Sequence, residues 1–176
     1  MFFGWKQRKD SALLTILMLT LWLSSVPLQA AEPDELPPVT LGIASNLEAD
    51  AALAASKQAP VLLFFSMKHC PYCLEVEEDI LKPMLRSGDY ENKVVIRKVK
   101  LDGIDSVISF DGREMDIEDF QDRYNVSMVP TLILVDKNGR PLAPEIVGIA
   151  NRHYYGAELD NLIDSALNKL RALASN

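Results

Sequence analysis

An α/β fold, with a central mixed sheet flanked by helices, is predicted by three observations. Val61-Leu62-Leu63-Phe64-Phe65 is an unbroken apolar run, the pattern of a central strand covered on both faces. Thr131-Leu132-Ile133-Leu134-Val135 is a second such run, and Asp136-Lys137-Asn138-Gly139 after it holds the Asn-Gly pair that turns a strand back as a hairpin. Leu159, Leu162, Ile163, Ala166, Leu167 and Leu170 recur at helical spacing, giving one apolar stripe suited to lie on a sheet.

At the N-terminus, Lys6, Arg8 and Lys9 precede an apolar run from Ala12 to Leu23, followed by the less hydrophobic Ser24 to Ala30. This is the three-part pattern of a secretory signal, its core shorter than the ~20 residues of a spanning helix, and the small Ala30 suits cleavage before Ala31. Residues 1–30 are therefore read as a signal peptide and the mature chain as periplasmic or otherwise secreted, with no stable membrane anchor once the signal is cut. An uncleaved anchor is the alternative, since Leu28 fits poorly at the third position before the cut. Residues 31–44, opened by the acidic, Pro-rich Ala31 to Pro38, are expected as an extended linker. Residues 45–172 form a single domain, for which 176 residues at 48% hydrophobic content suffice, and 173–176 a tail.

Ser45-Asn46-Leu47-Glu48 has capping-box spacing and opens an Ala-rich helix to about Gln58. Pro60 starts the first central strand. Pro71 to Leu81 is predicted helical, with Pro71 at the first helical position, where its missing N–H costs nothing, and Pro83 ending or kinking the helix. Val94 to Leu101 reads as the next strand, Gly103 to Met115 as a plain surface loop, Asp116 to Tyr124 as a short helix, and Pro144 to Ile149 as the strand completing the Asn-Gly hairpin.

The formal charge of −7 excludes the basic stripe that nucleic-acid binding requires. The chain has two cysteines, Cys70 and Cys73, one helical turn apart and so able to bond with little backbone movement. Closing so short a loop stabilises a fold by only about 2 kcal/mol, so the pair suits switching better than stapling. Cys70 stands at the helix start, where unpaired N–H groups and the helix dipole favour its thiolate, and Cys73 lies one turn inside, placed to resolve a mixed disulfide. A structural zinc site is the competing reading, but zinc wants four ligands, and beyond the cysteines the chain offers two histidines, His69 and His153. His69 adjoins Cys70 and, when protonated, would favour its thiolate. His153 is expected to be solvent-exposed. No metal is expected in the loop 103–115, because Asp105 and Asp111 do not follow a calcium-loop spacing.

The strand ending in Phe64-Phe65, Cys70-Pro71-Tyr72-Cys73 opening a helix, and Val129-Pro130-Thr131 opening a later strand before an Asn-Gly hairpin together resemble the thioredoxin superfamily over about residues 45–172. The spacing of Cys70, Cys73, Glu75 and Glu77 looks like the C-terminal domain of the bacterial transmembrane thiol–disulfide interchange protein, and the layout with a signal peptide is similar to periplasmic thioredoxins associated with sulfur oxidation. The resemblance implies dithiol–disulfide exchange by Cys70 and Cys73 with a protein or small-molecule disulfide, no bound cofactor, and an upstream thiol donor such as a membrane interchange protein. It implies a cis bond before Pro130, and a substrate-docking surface of Pro71, Tyr72, Val129, Pro130 and Gly148.

Two departures from the family pattern bear on mechanism. The buried acid that reducing thioredoxins carry six positions before the first cysteine is here Phe64, leaving Glu75 or Glu77 to serve as proton acceptor and Lys98 without its usual acidic neighbour. The ordinary expectation for Glu75, Glu77, Glu78 and Asp79 is a solvated acidic face. The motif interior, Pro71-Tyr72, matches the glutaredoxin dipeptide and does not fix direction. The reducing direction is preferred on the likeness around Glu75 and Glu77. An oxidant or isomerase is the enzyme alternative, and a thioredoxin-fold binding module with a permanently closed disulfide is the alternative of another class.

Overall fold

The computed structural model describes residues 38–174. The expected signal peptide, and the linker up to residue 37, lie outside them. A five-stranded sheet forms the centre, with strands β1 (Gly42–Ile43), β2 (Val61–Ser66), β3 (Val95–Lys100), β6 (Thr131–Val135) and β7 (Ile146–Val147). Its order is β1-β3-β2-β6-β7; β1, β3 and β2 run parallel, and β6 runs antiparallel to both β2 and β7. The sheet is mixed, as predicted. Its edge strand β1 falls within the stretch expected as linker, because Gly42 and Ile43 pair with Arg97 and Lys98.

All six residues of β2 are buried, and its alternate side chains feed two cores. Leu62 and Phe64 pack with Cys73, Val76, Leu159 and Ile163 on one face. Val61, Leu63 and Phe65 pack with Leu47, Ala54, Ile117 and Phe120 on the other. The first face is covered by α2 (Pro71–Val76) and by α5 (Tyr155–Ala174), the second by α1 (Leu47–Ser56) and α4 (Ile117–Arg123). Two-sided burial is why the β2 run shows no alternation.

Local chemistry moves several boundaries. Asn46, not Ser45, caps α1, its side-chain oxygen accepting from the Ala49 N–H at 3.0 Å. Pro83 does not end its helix. α2 (Pro71–Val76) continues through a π-helical segment, Glu77–Leu81, into α3 (Lys82–Ser87), and the chain turns out only at Gly88, φ +75°. Pro83 has no N–H to return to the preceding turn, and the ladder widens just before it, the Lys82 N–H reaching the Glu77 carbonyl. The hairpin after β6 opens with an isolated bridge, Val135 to Pro141, breaks at Pro144, which cannot donate, and resumes only at Ile146.

Residues 103–115 are not a plain loop. They carry a second, two-stranded sheet, β4 (Ser106–Ile108) against β5 (Glu114–Asp116), turned at Gly112 and joined to the residues before α1 by the Ile108 N–H donating to the Ser45 carbonyl. Gly139 is required where it stands: its φ is +76°, and a Cβ there would lie 2.6 Å from the Phe110 ring.

Burial raises the pKa of three phenols, Tyr124 to about 12 and Tyr90 and Tyr155 likewise upward. The folded chain holds these protons more tightly than the unfolded chain, so the stability linked to Tyr124 is complete below about pH 10 and lost as pH rises through 12. Alkaline titration of phenolate absorbance is expected to show late-ionising tyrosines, one fewer in each of Tyr124→Phe and Tyr155→Phe.

Candidate active site

Parallel β1, β3 and β2 end at the same edge of the sheet where antiparallel β6 begins, and the register Phe65 to Thr131 sets the segment after β2 beside Val129-Pro130. Cys70 is the N-cap of α2, in extended conformation, with Pro71 in the first helical turn. Its sulfur accepts from the Cys73 N–H at 3.1 Å. The two sulfurs form a disulfide, with Cα atoms 5.2 Å apart. Among the described residues, no group of three or more His, Cys, Asp or Glu is placed to hold a metal ion.

Cys70 is partly exposed and Cys73 only 2% exposed, an asymmetry produced by the helix, which points its second cysteine into the core formed by Phe64 and Val76. The Val129-Pro130 peptide bond is cis, and Cys70 and Val129 both pack at the margin of that core. Pro130 is buried and Pro71 and Tyr72 are exposed. Gly148 donates its N–H to the Pro130 carbonyl at 2.8 Å. What demands glycine there is its φ of +65°; an added Cβ would meet only the Met128 sulfur, at an ordinary 3.7 Å.

Glu75 and Glu77 part ways. Glu77 pairs with Lys98, itself opposite Phe64 across the β2–β3 ladder with its ammonium 6.0 Å from the centre of that ring. Both side chains are largely buried, and they line one cleft with Cys70, Cys73 and His69. Glu75 instead pairs with Arg152, a contact between residues 77 apart in sequence. The expected solvated acidic face is thus corrected: Glu78 and Asp79 are exposed, while cations from β3 and the loop before α5 claim the other two.

His69 is exposed and left-handed, φ +56°, a conformation unusual for a residue with a Cβ. The turn holding it is tied by a residue that sequence reasoning passed over: Asp102 accepts the Lys68 N–H at 2.6 Å. An aspartate followed by glycine just after a strand was the only signal for that anchor. Arg152, also passed over, gives no local signal at all. His153 is exposed, as expected.

The family model for the thioredoxin-like domain matches residues 47–163. Among curated proteins there is no match. Similar solved structures include a thioredoxin h from poplar, 17% identical over 66% of this chain and 87% of its own at a TM-score of 0.47. Mitochondrial thioredoxin 3 from Saccharomyces cerevisiae is 20% identical over 70% and 94% at 0.45, and the Malassezia sympodialis thioredoxin is 15% identical over 74% and 94% at 0.49. Since the family match spans most of the chain and brackets a cysteine pair able to cycle between dithiol and disulfide, the chain belongs to the thioredoxin-like domain family, as a thiol–disulfide oxidoreductase.

Proposed function

We propose that this oxidoreductase works outside the cytosol as a reductant of disulfides in proteins or small thiol compounds, kept reduced by an upstream thiol donor, for which the family resemblance suggests a membrane interchange protein. The observation that carries the reading is the Glu77–Lys98 pair sharing a cleft with Cys73. It supplies a carboxylate at the resolving cysteine although the strand beneath offers only Phe64.

The Cys70 thiolate, favoured by the Cys73 N–H aimed at its sulfur, attacks one sulfur of the substrate disulfide and expels the other as a thiolate. The mixed disulfide is then resolved by Cys73, whose proton passes to Glu77 as its sulfur attacks Cys70 and releases the second substrate thiolate. Two electrons have moved from the pair to the substrate, whose thiolates take up protons from solvent, and an external dithiol restores the pair. Lys98 holds the Glu77 carboxylate in place. Val129, next to Pro130, offers backbone to an extended substrate segment, and Gly148 keeps that surface free of a side chain.

Glu77→Gln is expected to slow resolution of the mixed disulfide by about tenfold or more, a loss proper to a positioned proton acceptor. Rapid-quench measurement of the mixed-disulfide lifetime checks this, with exposed Glu78→Gln unchanged as the control.

Compartment and direction are tested in the native host by isolating the extracytoplasmic fraction, trapping thiols in acid and sequencing the N-terminus. The reading expects a start within a residue or two of Ala31 and mostly free thiols at Cys70 and Cys73. An intact Met1 in soluble cytosol contradicts the compartment, and a mostly closed disulfide contradicts the direction.

A further inference from the structure

Arg152 lies outside the chemistry described so far, yet it touches the redox motif. Its guanidinium carbon stands 5.5 Å from the centre of the Tyr72 ring, and its Nε and Nη2 donate to the two carboxylate oxygens of Glu75, the Nη2 bond at 3.1 Å. Tyr72 and Glu75 are three residues apart in α2 and so present one face, on either side of Cys73 in sequence. Arg152 comes from the other side of the site, four residues beyond Gly148, in the segment between β7 and α5. That segment begins where the Gly148 N–H meets the Pro130 carbonyl. One side chain therefore joins the cis-proline side of the docking surface to the helix that carries the disulfide.

Its chemistry suits that task. A planar guanidinium engages a carboxylate with two parallel N–H groups while stacking on an aromatic face, which an ammonium cannot do. Tyr72 is 54% exposed and its ring lies against the Arg152 guanidinium; without that contact it would be free to change rotamer over the rim where a substrate chain must lie.

We propose that Arg152 is a positioning residue for macromolecular substrates, preassembling the docking rim by holding Tyr72 and Glu75 of α2 against the segment that follows Gly148. The proposal rests on the oxidoreductase reading. It separates two substrate classes: a protein disulfide must lie across the rim, whereas a small aromatic disulfide needs only the Cys70 sulfur. Ordering the rim in advance spares a protein substrate that cost on binding and leaves the exchange step alone.

The experiment measures steady-state reduction of insulin with dithiothreitol as donor, and single-turnover reduction of 5,5′-dithiobis(2-nitrobenzoate) by the prereduced chain, for the wild type, Arg152→Ala, Arg152→Lys, Tyr72→Ala and the Tyr72→Ala/Arg152→Ala pair. Arg152→Ala is expected to raise KM for insulin about fivefold, the size of one exposed cation–π contact and one rim ion pair lost together, with kcat and the small-disulfide rate unchanged. Arg152→Lys fails to restore KM, because it keeps the charge and loses the fork. The double variant exceeds Tyr72→Ala by less than Arg152→Ala exceeds the wild type, because only the Glu75 pair is left to lose. An unchanged insulin KM in Arg152→Ala, an equal loss on both substrates, or additive effects in the double variant overturns the proposal. Absence of wild-type turnover on either substrate overturns the oxidoreductase reading, and the proposal with it.

Discussion

A Cys73→Ala chain expressed with residues 1–30 in its native host is expected to accumulate covalent adducts that a reductant dissolves, while Cys70→Ala accumulates few. The asymmetry follows from the helix. Cys70 caps it from a partly exposed position with the Cys73 N–H on its sulfur, whereas Cys73 is 2% exposed and can reach only its neighbour. Attack by Cys70 forms the mixed disulfide, and intramolecular attack by Cys73 is the step that ends it. Removing Cys73 strands the intermediate; removing Cys70 prevents it, so insulin turnover falls to background in both. Mass spectrometry of the stranded adducts names the substrate. Adducts in equal amount from both variants would reverse or remove the assigned roles, and none from either, with the wild type permanently oxidised, would favour a binding module.

Phe65→Ala is expected to destabilise the fold by about 3–5 kcal/mol, the usual cost of deleting a fully buried aromatic side chain. Phe65 has no exposed surface and lies 6.0 Å from the Phe120 ring and 5.9 Å from the Tyr124 ring, centre to centre, in the core between the sheet and α1 and α4. Against the 5–15 kcal/mol typical of domains, about a fifth or more of the stability would go. Urea denaturation reads this as a fall in midpoint at constant slope. Leu173→Ala, 63% exposed, is expected to change stability by less than about 0.5 kcal/mol. A Phe65→Ala cost below about 1 kcal/mol would show that this core does not hold the sheet.

Legibility in the sequence tracked how local the cause was. β2, β6 and α5 declare themselves because burial on both faces, or on one stripe, leaves an unbroken run or a helical period in the residues themselves. The hairpin of β4 and β5 does not, since each strand is three residues long and, among Ser106, Val107, Ile108, Glu114, Met115 and Asp116, Val107 alone is buried. Of the two outcomes expected at Pro83, an end or a kink, the end is avoided for a physical reason: a missing N–H stops a regular ladder, but a widened turn carries the helix past it. In the site, Cys70, Cys73 and the segment around Pro130 were legible as motifs. Glu77 and Glu75 could not be told apart, because what separates them is which distant cation reaches each, Lys98 from the adjacent strand or Arg152 from 77 residues away. Pairings across such separations leave no mark in the sequence near either partner.

The central claim is that Cys70 and Cys73 carry catalysed disulfide reduction, and turbidimetric insulin reduction by dithiothreitol tests it most directly, comparing the mature chain with Cys70→Ser. The account predicts that catalytic amounts of the wild type shorten the lag before precipitation while Cys70→Ser leaves it at the uncatalysed value. A wild type no faster than Cys70→Ser would contradict it.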